Sequence, residues 1–161
     1  MRTVLFAFAA LLLAPAMHAQ VVLMSLSGIK ETPVGSTFQY GEVAVGDSLD
    51  VRFHARNQGA GPITITNLKV TGPGFSIVNT SSTPYVVASG DVMAIFVRFL
   101  SAQTGDFGAT LQVTWKDAAG ATNSASATLQ AKAVPAPVVT VAAPCTGPDP
   151  TKTISFGRSQ Q

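Results

Sequence analysis

Ser48-Leu49-Asp50-Val51-Arg52-Phe53-His54-Ala55-Arg56-Asn57 is the stretch that decides the fold. Leu49, Val51, Phe53 and Ala55 fall on one side of an extended chain; Asp50, Arg52, His54 and Arg56 fall on the other. A period of two with one apolar side describes a half-buried antiparallel strand with one solvated face. Asn57-Gln58-Gly59-Ala60-Gly61-Pro62 then stops it with turn residues.

The same alternation recurs on both sides. Upstream, Phe38 to Val43 reads as an opening strand, with Gly41 marking a bend or bulge. Downstream, Ile63 to Thr71 changes phase between Ile65 and Leu68, which predicts a bulge near Thr66-Asn67. Phe75 to Val78 is short, and Tyr85 to Val87 is brief and suited to an edge. Met93, Ile95, Val97 and Phe99 alternate inward, with Ala94, Phe96 and Arg98 outward. Phe107, Ala109, Leu111, Val113 and Trp115 form the next inward set. A loop over Lys116 to Thr122 carries Gly120, and Ala125, Ala127, Leu129 and Ala131 close the series. The expectation is an all-β fold: a seven-stranded immunoglobulin-like β-sandwich, with turns about every ten residues. No segment past residue 19 shows a 3.6-residue period.

The ends of the chain read differently. Arg2, the apolar run Val4 to Leu13, and small residues at Ala14, Ala16 and Ala19 describe an export signal over 1–19. Cleavage after Ala19 leaves Gln20 first; cleavage after Ala16 is the alternative. Residues 20–35 are a mixed N-terminal segment in which Val21 to Leu26 could be a short strand. The domain proper is placed at 36–133. Pro135, Pro137, Pro144, Pro148 and Pro150 make 134–152 a semi-stiff linker. Ile154-Ser155-Phe156-Gly157-Arg158 aligns with Phe38-Gln39-Tyr40-Gly41-Glu42, so 153–161 reads as the onset of a second, homologous module.

Composition narrows the function. Removing Arg2 from the ten Lys and Arg leaves nine basic against eight acidic side chains, which gives no reason to invoke nucleic acid. No stretch after the signal is long and apolar enough to span a membrane. Cys145 is the single cysteine, so no disulfide forms within the chain; the thiol pairs with a cysteine elsewhere or is a small buried side chain. The product is expected to be exported, to the periplasm, the cell surface or beyond.

Chemistry is sparse. His54 is the one histidine beyond the signal. Asp50 lies four residues away on its face, about 13 Å at strand rise, too far for a catalytic pair. One histidine and one cysteine do not make a zinc site, and no calcium loop or phosphate loop is present in the sequence. The chain therefore reads as a non-enzyme with no cofactor.

One constellation points to binding. Arg52, His54 and Arg56 share an outer strand face, and the strand bearing Phe96 and Arg98 is expected beside it. Together they form a patch for an acidic protein or a glycan, or an ordinary solvated face tempered by Asp50. Phe96 is covered either by the 20–36 segment or linker, or by a neighbouring module.

Several motifs resemble the ASH (Hydin-type) immunoglobulin-like domain, also seen in bacterial surface proteins described as choice-of-anchor D. They are Tyr40-Gly41-Glu42-Val43-Ala44-Val45-Gly46, Asn57-Gln58-Gly59, Gly72-Pro73-Gly74-Phe75, Gly90-Asp91, Val97-Arg98-Phe99, Gly105-Asp106-Phe107 and Leu111-Gln112-Val113. Leu100-Ser101-Ala102 stands where the family often has a proline. The resemblance implies a PapD/MSP-like sandwich acting as a structural or binding unit of a larger extracellular protein. It brings no catalytic residues. Two alternatives remain: the accessory domain of an extracellular hydrolase, and a periplasmic chaperone-like protein.

Overall fold

The computed structural model describes residues 21–138; the expected signal segment, Cys145, most of the expected linker and the 153–161 motif lie outside the described residues. Ten strands follow in order: β1 (Val21–Ser27), β2 (Lys30–Pro33), β3 (Thr37–Ala44), β4 (Ser48–Asn57), β5 (Ile63–Thr71), β6 (Phe75–Thr80), β7 (Tyr85–Val87), β8 (Val92–Leu100), β9 (Gly105–Lys116) and β10 (Thr122–Val134). They form two five-stranded sheets, β2-β1-β4-β8-β6 and β3-β10-β9-β5-β7.

Ten strands replace the expected seven. The short edge strand β7 and the strand β1 fall where Tyr85 to Val87 and Val21 to Leu26 were read, and β2 is the element the sequence did not suggest. β1 and β2 form a hairpin closed by Gly28-Ile29, with Gly28 at φ 60, the conformation a two-residue loop demands at its first position. β1 then pairs antiparallel with β4, so the segment before the expected domain is a full member of the first sheet. Its sequence did not alternate because both of its sides are covered: Val21 and Leu23 face the core, and Met24 is buried on the other side.

The layers are not purely antiparallel. β3 crosses to the second sheet and runs parallel to β10, from Thr37 opposite Thr128 to Ala44 opposite Val134. Tyr40 and Gly41 together oppose Ala131, and Gly41 takes φ 81, which is the bulge expected there. A second register shift, between Ile65 and Asn67 on β5, absorbs the phase change in that strand. Direction of pairing leaves no mark in a strand's own alternation, so this feature was not legible.

The interior is hydrocarbon. Phe53, Val97, Phe99, Leu111 and Val113 are fully buried, while Val51 is half-buried against them. Leu49, read as inward, is exposed although its cross-strand neighbour Phe99 is fully buried. Phe38, Tyr40, Phe53, Phe75, Phe99 and Phe107 meet ring to ring with centroids 4.9 to 6.3 Å apart, mostly edge to face. The Tyr40 hydroxyl crosses the sandwich and donates to the Val97 carbonyl at 2.9 Å. Burial holds its phenol well above its ordinary value of 10.

Two polar devices fix the loops. Asn57 is fully buried. Its Nδ2 donates to the carbonyls of Gly61, Val87 and Ala88, and its Oδ1 accepts from the Gly59 amide. This gives Asn57-Gln58-Gly59 its physical reason: the side chain satisfies a loop that no ladder reaches. Ser101 is buried, and its hydroxyl donates to Gln103 O while accepting from Gln103 N.

Candidate functional site

β4 lies between β1 and β8, and its register sets the outer face of the first sheet. Asp50 opposes Arg98, Arg52 opposes Phe96, His54 opposes Ala94 and Arg56 opposes Val92. On the other flank Met24 opposes His54 and Val22 opposes Arg56. The five residues singled out from sequence (Arg52, His54, Arg56, Phe96 and Arg98) therefore occupy one face of two adjacent strands.

Their states differ from the expected solvated row. His54 is 6% exposed, with buried Met24 of β1 opposite it and the Glu31 side chain reaching it from β2 in the same sheet. Its Nδ1 meets one oxygen of Glu31 on β2, and the Arg56 guanidinium meets the other. Arg56 also donates to the Gly90 carbonyl at 2.8 Å. The His54 bond and the Arg56 bond hold the Glu31 carboxyl below its ordinary value. Glu31 was missed in the sequence because its strand carries no alternation and ends in Pro33.

Arg98 grips Asp50 through two parallel bonds, Nε to Oδ1 at 2.7 Å and Nη2 to Oδ2 at 2.8 Å. That fork lowers the Asp50 pKa and raises that of Arg98. Arg52 behaves differently: its guanidinium stacks on the Phe96 ring, 5.5 Å from the centroid. One face of the half-buried Phe96 is thus covered by a cation from its own sheet. Among the described residues, Arg52 is the one basic side chain of the five without a carboxylate partner.

Around these charges the face is apolar. Val22, Met24 and Leu26 on β1, and Val92, Ala94 and Phe96 on β8, are half-buried or buried although they point away from the core. Chemically, this arrangement can contact a surface; among the described residues no group of three or more His, Cys, Asp or Glu comes together to hold a metal.

The fold and its motifs agree with known proteins. A family model, the HYDIN/CFA65/VesB-like, Ig-like domain, matches residues 34–132. The chain belongs to this HYDIN/CFA65/VesB-like family. Its ASH character is echoed by the ASH/PapD-like domain 7 of human CEP192, with a TM-score of 0.50 at 9% identity over 85% of this chain and 99% of that one. The VesB protease of Vibrio cholerae has a TM-score of 0.53 at 18% identity over 60% of this chain. This chain corresponds to 30% of the length of VesB. At such identities the likeness is one of fold. No curated protein matches in sequence.

Proposed function

We propose that the chain is a non-catalytic immunoglobulin-like module of an exported protein, and that it docks a neighbouring protein surface through the outer face of its first sheet. The observation that carries this is the Arg52–Phe96 stack set among Met24, Val22, Leu26 and Ala94. Apolar, Met, aromatic and Arg side chains are the composition of interface cores. The paired charges around them form a rim whose geometry is already fixed.

All four sheet edges carry a blunting device, which favours docking by a face over strand addition. β2 has Lys30 and Pro33, β6 shifts register between Ile77 and Asn79, β3 bulges at Gly41, and β7 is three residues long. This weighs against the chaperone-like alternative, which would need an open edge to receive a strand.

A second reading has its own support. VesB is a protease, and its likeness to this chain covers less than a third of that enzyme. An accessory module attached to an extracellular hydrolase fits that proportion. Arg52→Ser and Phe96→Ser are the test of the docking face. Both should reduce retention of the protein on the surface of the cells that secrete it, with unchanged thermal unfolding. Unchanged retention removes the face, and turnover of casein or chromogenic glycosides by the purified protein removes the non-catalytic reading.

A further inference from the structure

The opposite side of the sandwich carries a separate feature. The outer face of the second sheet carries an uncharged hydroxyl row across four strands. Thr37, Thr128, Thr110 and Thr71 lie side by side across β3, β10, β9 and β5, all exposed. At the usual strand spacing that row is about 14 Å long. The adjacent row is Ser126, Gln112 and Lys69.

At one end this face sinks into a groove of about 560 Å³ lined by Gln39, Glu42, Asp106, Gly108, Gln130 and Lys132, among others. Glycine makes the groove. Gly108 sits inside β9 with no positive φ, and a Cβ there would meet only the Leu129 carbonyl, at 4.0 Å. The fold would accept a side chain at 108, and glycine inside a strand weakens it. The missing side chain serves the groove, not the packing.

The lining is donors and acceptors in close company. The Gln39 and Gln130 amides touch. Lys132 donates to Glu42 at 2.9 Å, and Asp106 also raises its pKa, so the one ammonium of the groove faces two carboxylates. Such a site has no cation to spare for an anion, and Phe107 and Ala131 line it beside the polar groups, so it offers both the apolar and the hydrogen-bonding surface that a sugar ring presents. Amides that both give and take hydrogen bonds, beside carboxylates that accept them, match a polyhydroxylated, uncharged ligand. The volume is in the range of small-ligand sites.

We infer that this groove and the threonine row form a binding site for a neutral polysaccharide, with one sugar unit seated over Gly108 and the chain running along the sheet. The site is independent of the first-sheet face. The test is native electrophoresis of the protein in gels cast with dextran, galactomannan or xyloglucan, and with polygalacturonate as the acidic comparison. Retardation is expected in at least one neutral gel. Gly108→Gln, which fills the groove, and Gln130→Ala should each weaken it at least tenfold, while Arg52→Ser on the other face should leave it unchanged. No retardation in any neutral gel, retardation confined to polygalacturonate, or equal retardation of Gly108→Gln with a native thermal midpoint would each overturn the inference.

Discussion

Replacing Asn57 by alanine should cost more than removing any exposed polar side chain of this domain. The amide makes four bonds to backbone groups, between 2.8 and 3.2 Å. Two of them, to the Val87 carbonyl and from the Gly59 amide, are wholly buried. Truncation leaves those two groups unpaired, at about 1–3 kcal/mol each. The carbonyls of Gly61 and Ala88 are nearer solvent and recover water. The expected loss is about 3 kcal/mol, against a total of roughly 5–15 kcal/mol for a domain of this kind. Urea unfolding followed by the fluorescence of Trp115, the single tryptophan, reads it directly. With a slope of about 1.5 kcal/mol per molar urea, the midpoint should fall by about 2 M. Asn57→Asp should fall further, since a carboxylate would face three carbonyl oxygens. A midpoint shift below about 0.5 M at unchanged slope would refute the role given to this side chain.

Further outcomes follow from the same structure. Gly72→Ala would place a Cβ 2.4 Å from the Gly108 carbonyl and 2.6 Å from the Ala109 Cα at φ +148, contacts with backbone that cannot yield, so it should lose about 3 kcal/mol in the same assay. Glu31 and Asp50 have carboxyls held below their ordinary values of 4.5 and 3.8. Their pairing is fully present above those values. As pH falls below them the unfolded chain takes up protons first, so the thermal midpoint should drop until the folded carboxyls protonate. Glu31→Gln and Asp50→Asn should each flatten that acid limb, and parallel limbs would contradict the assigned pairs. At the other extreme, Tyr40 ionises near 10 when unfolded and well above it when folded, so stability should decline above pH 10. Tyr40→Phe should lessen that decline and cost about 1 kcal/mol at neutral pH for the lost bond to Val97.

Where one face of a strand met the core, the sequence was legible. β4, β9 and β10 alternate because their other face carries polar side chains, β8 was legible from its fully buried set Met93, Ile95, Val97 and Phe99, and the bulges at Gly41 and after Ile65 showed as a glycine and as a broken phase. Legibility failed where that condition failed. β1 is apolar on both sides because core lies beneath Val21 and Leu23 while Met24 is buried against its neighbours on the outer face. β2 is a four-residue edge with no pattern, so the side chain it brings to His54 was invisible, and a histidine expected in water is buried against Glu31. The Gly28-Ile29 loop was the available signal. The five patch residues fell on one face as alternation and strand adjacency required. Which of them were neutralised depended on Glu31, twenty-odd residues away in sequence, and on the fork between Asp50 and Arg98. The second-sheet groove needed a register no local pattern supplies.

The central claim is that residues 21–134 close as two five-stranded sheets in which β1 lies against β4 and β3 runs parallel to β10. Cross-strand nuclear Overhauser contacts test it most directly. The structure requires contacts of Met24 with His54 and of Phe38 with Leu129, and a parallel ladder from Thr37–Thr128 to Ala44–Val134. An antiparallel ladder between those strands, or a β1 whose amides exchange as fast as a free peptide, would contradict the account.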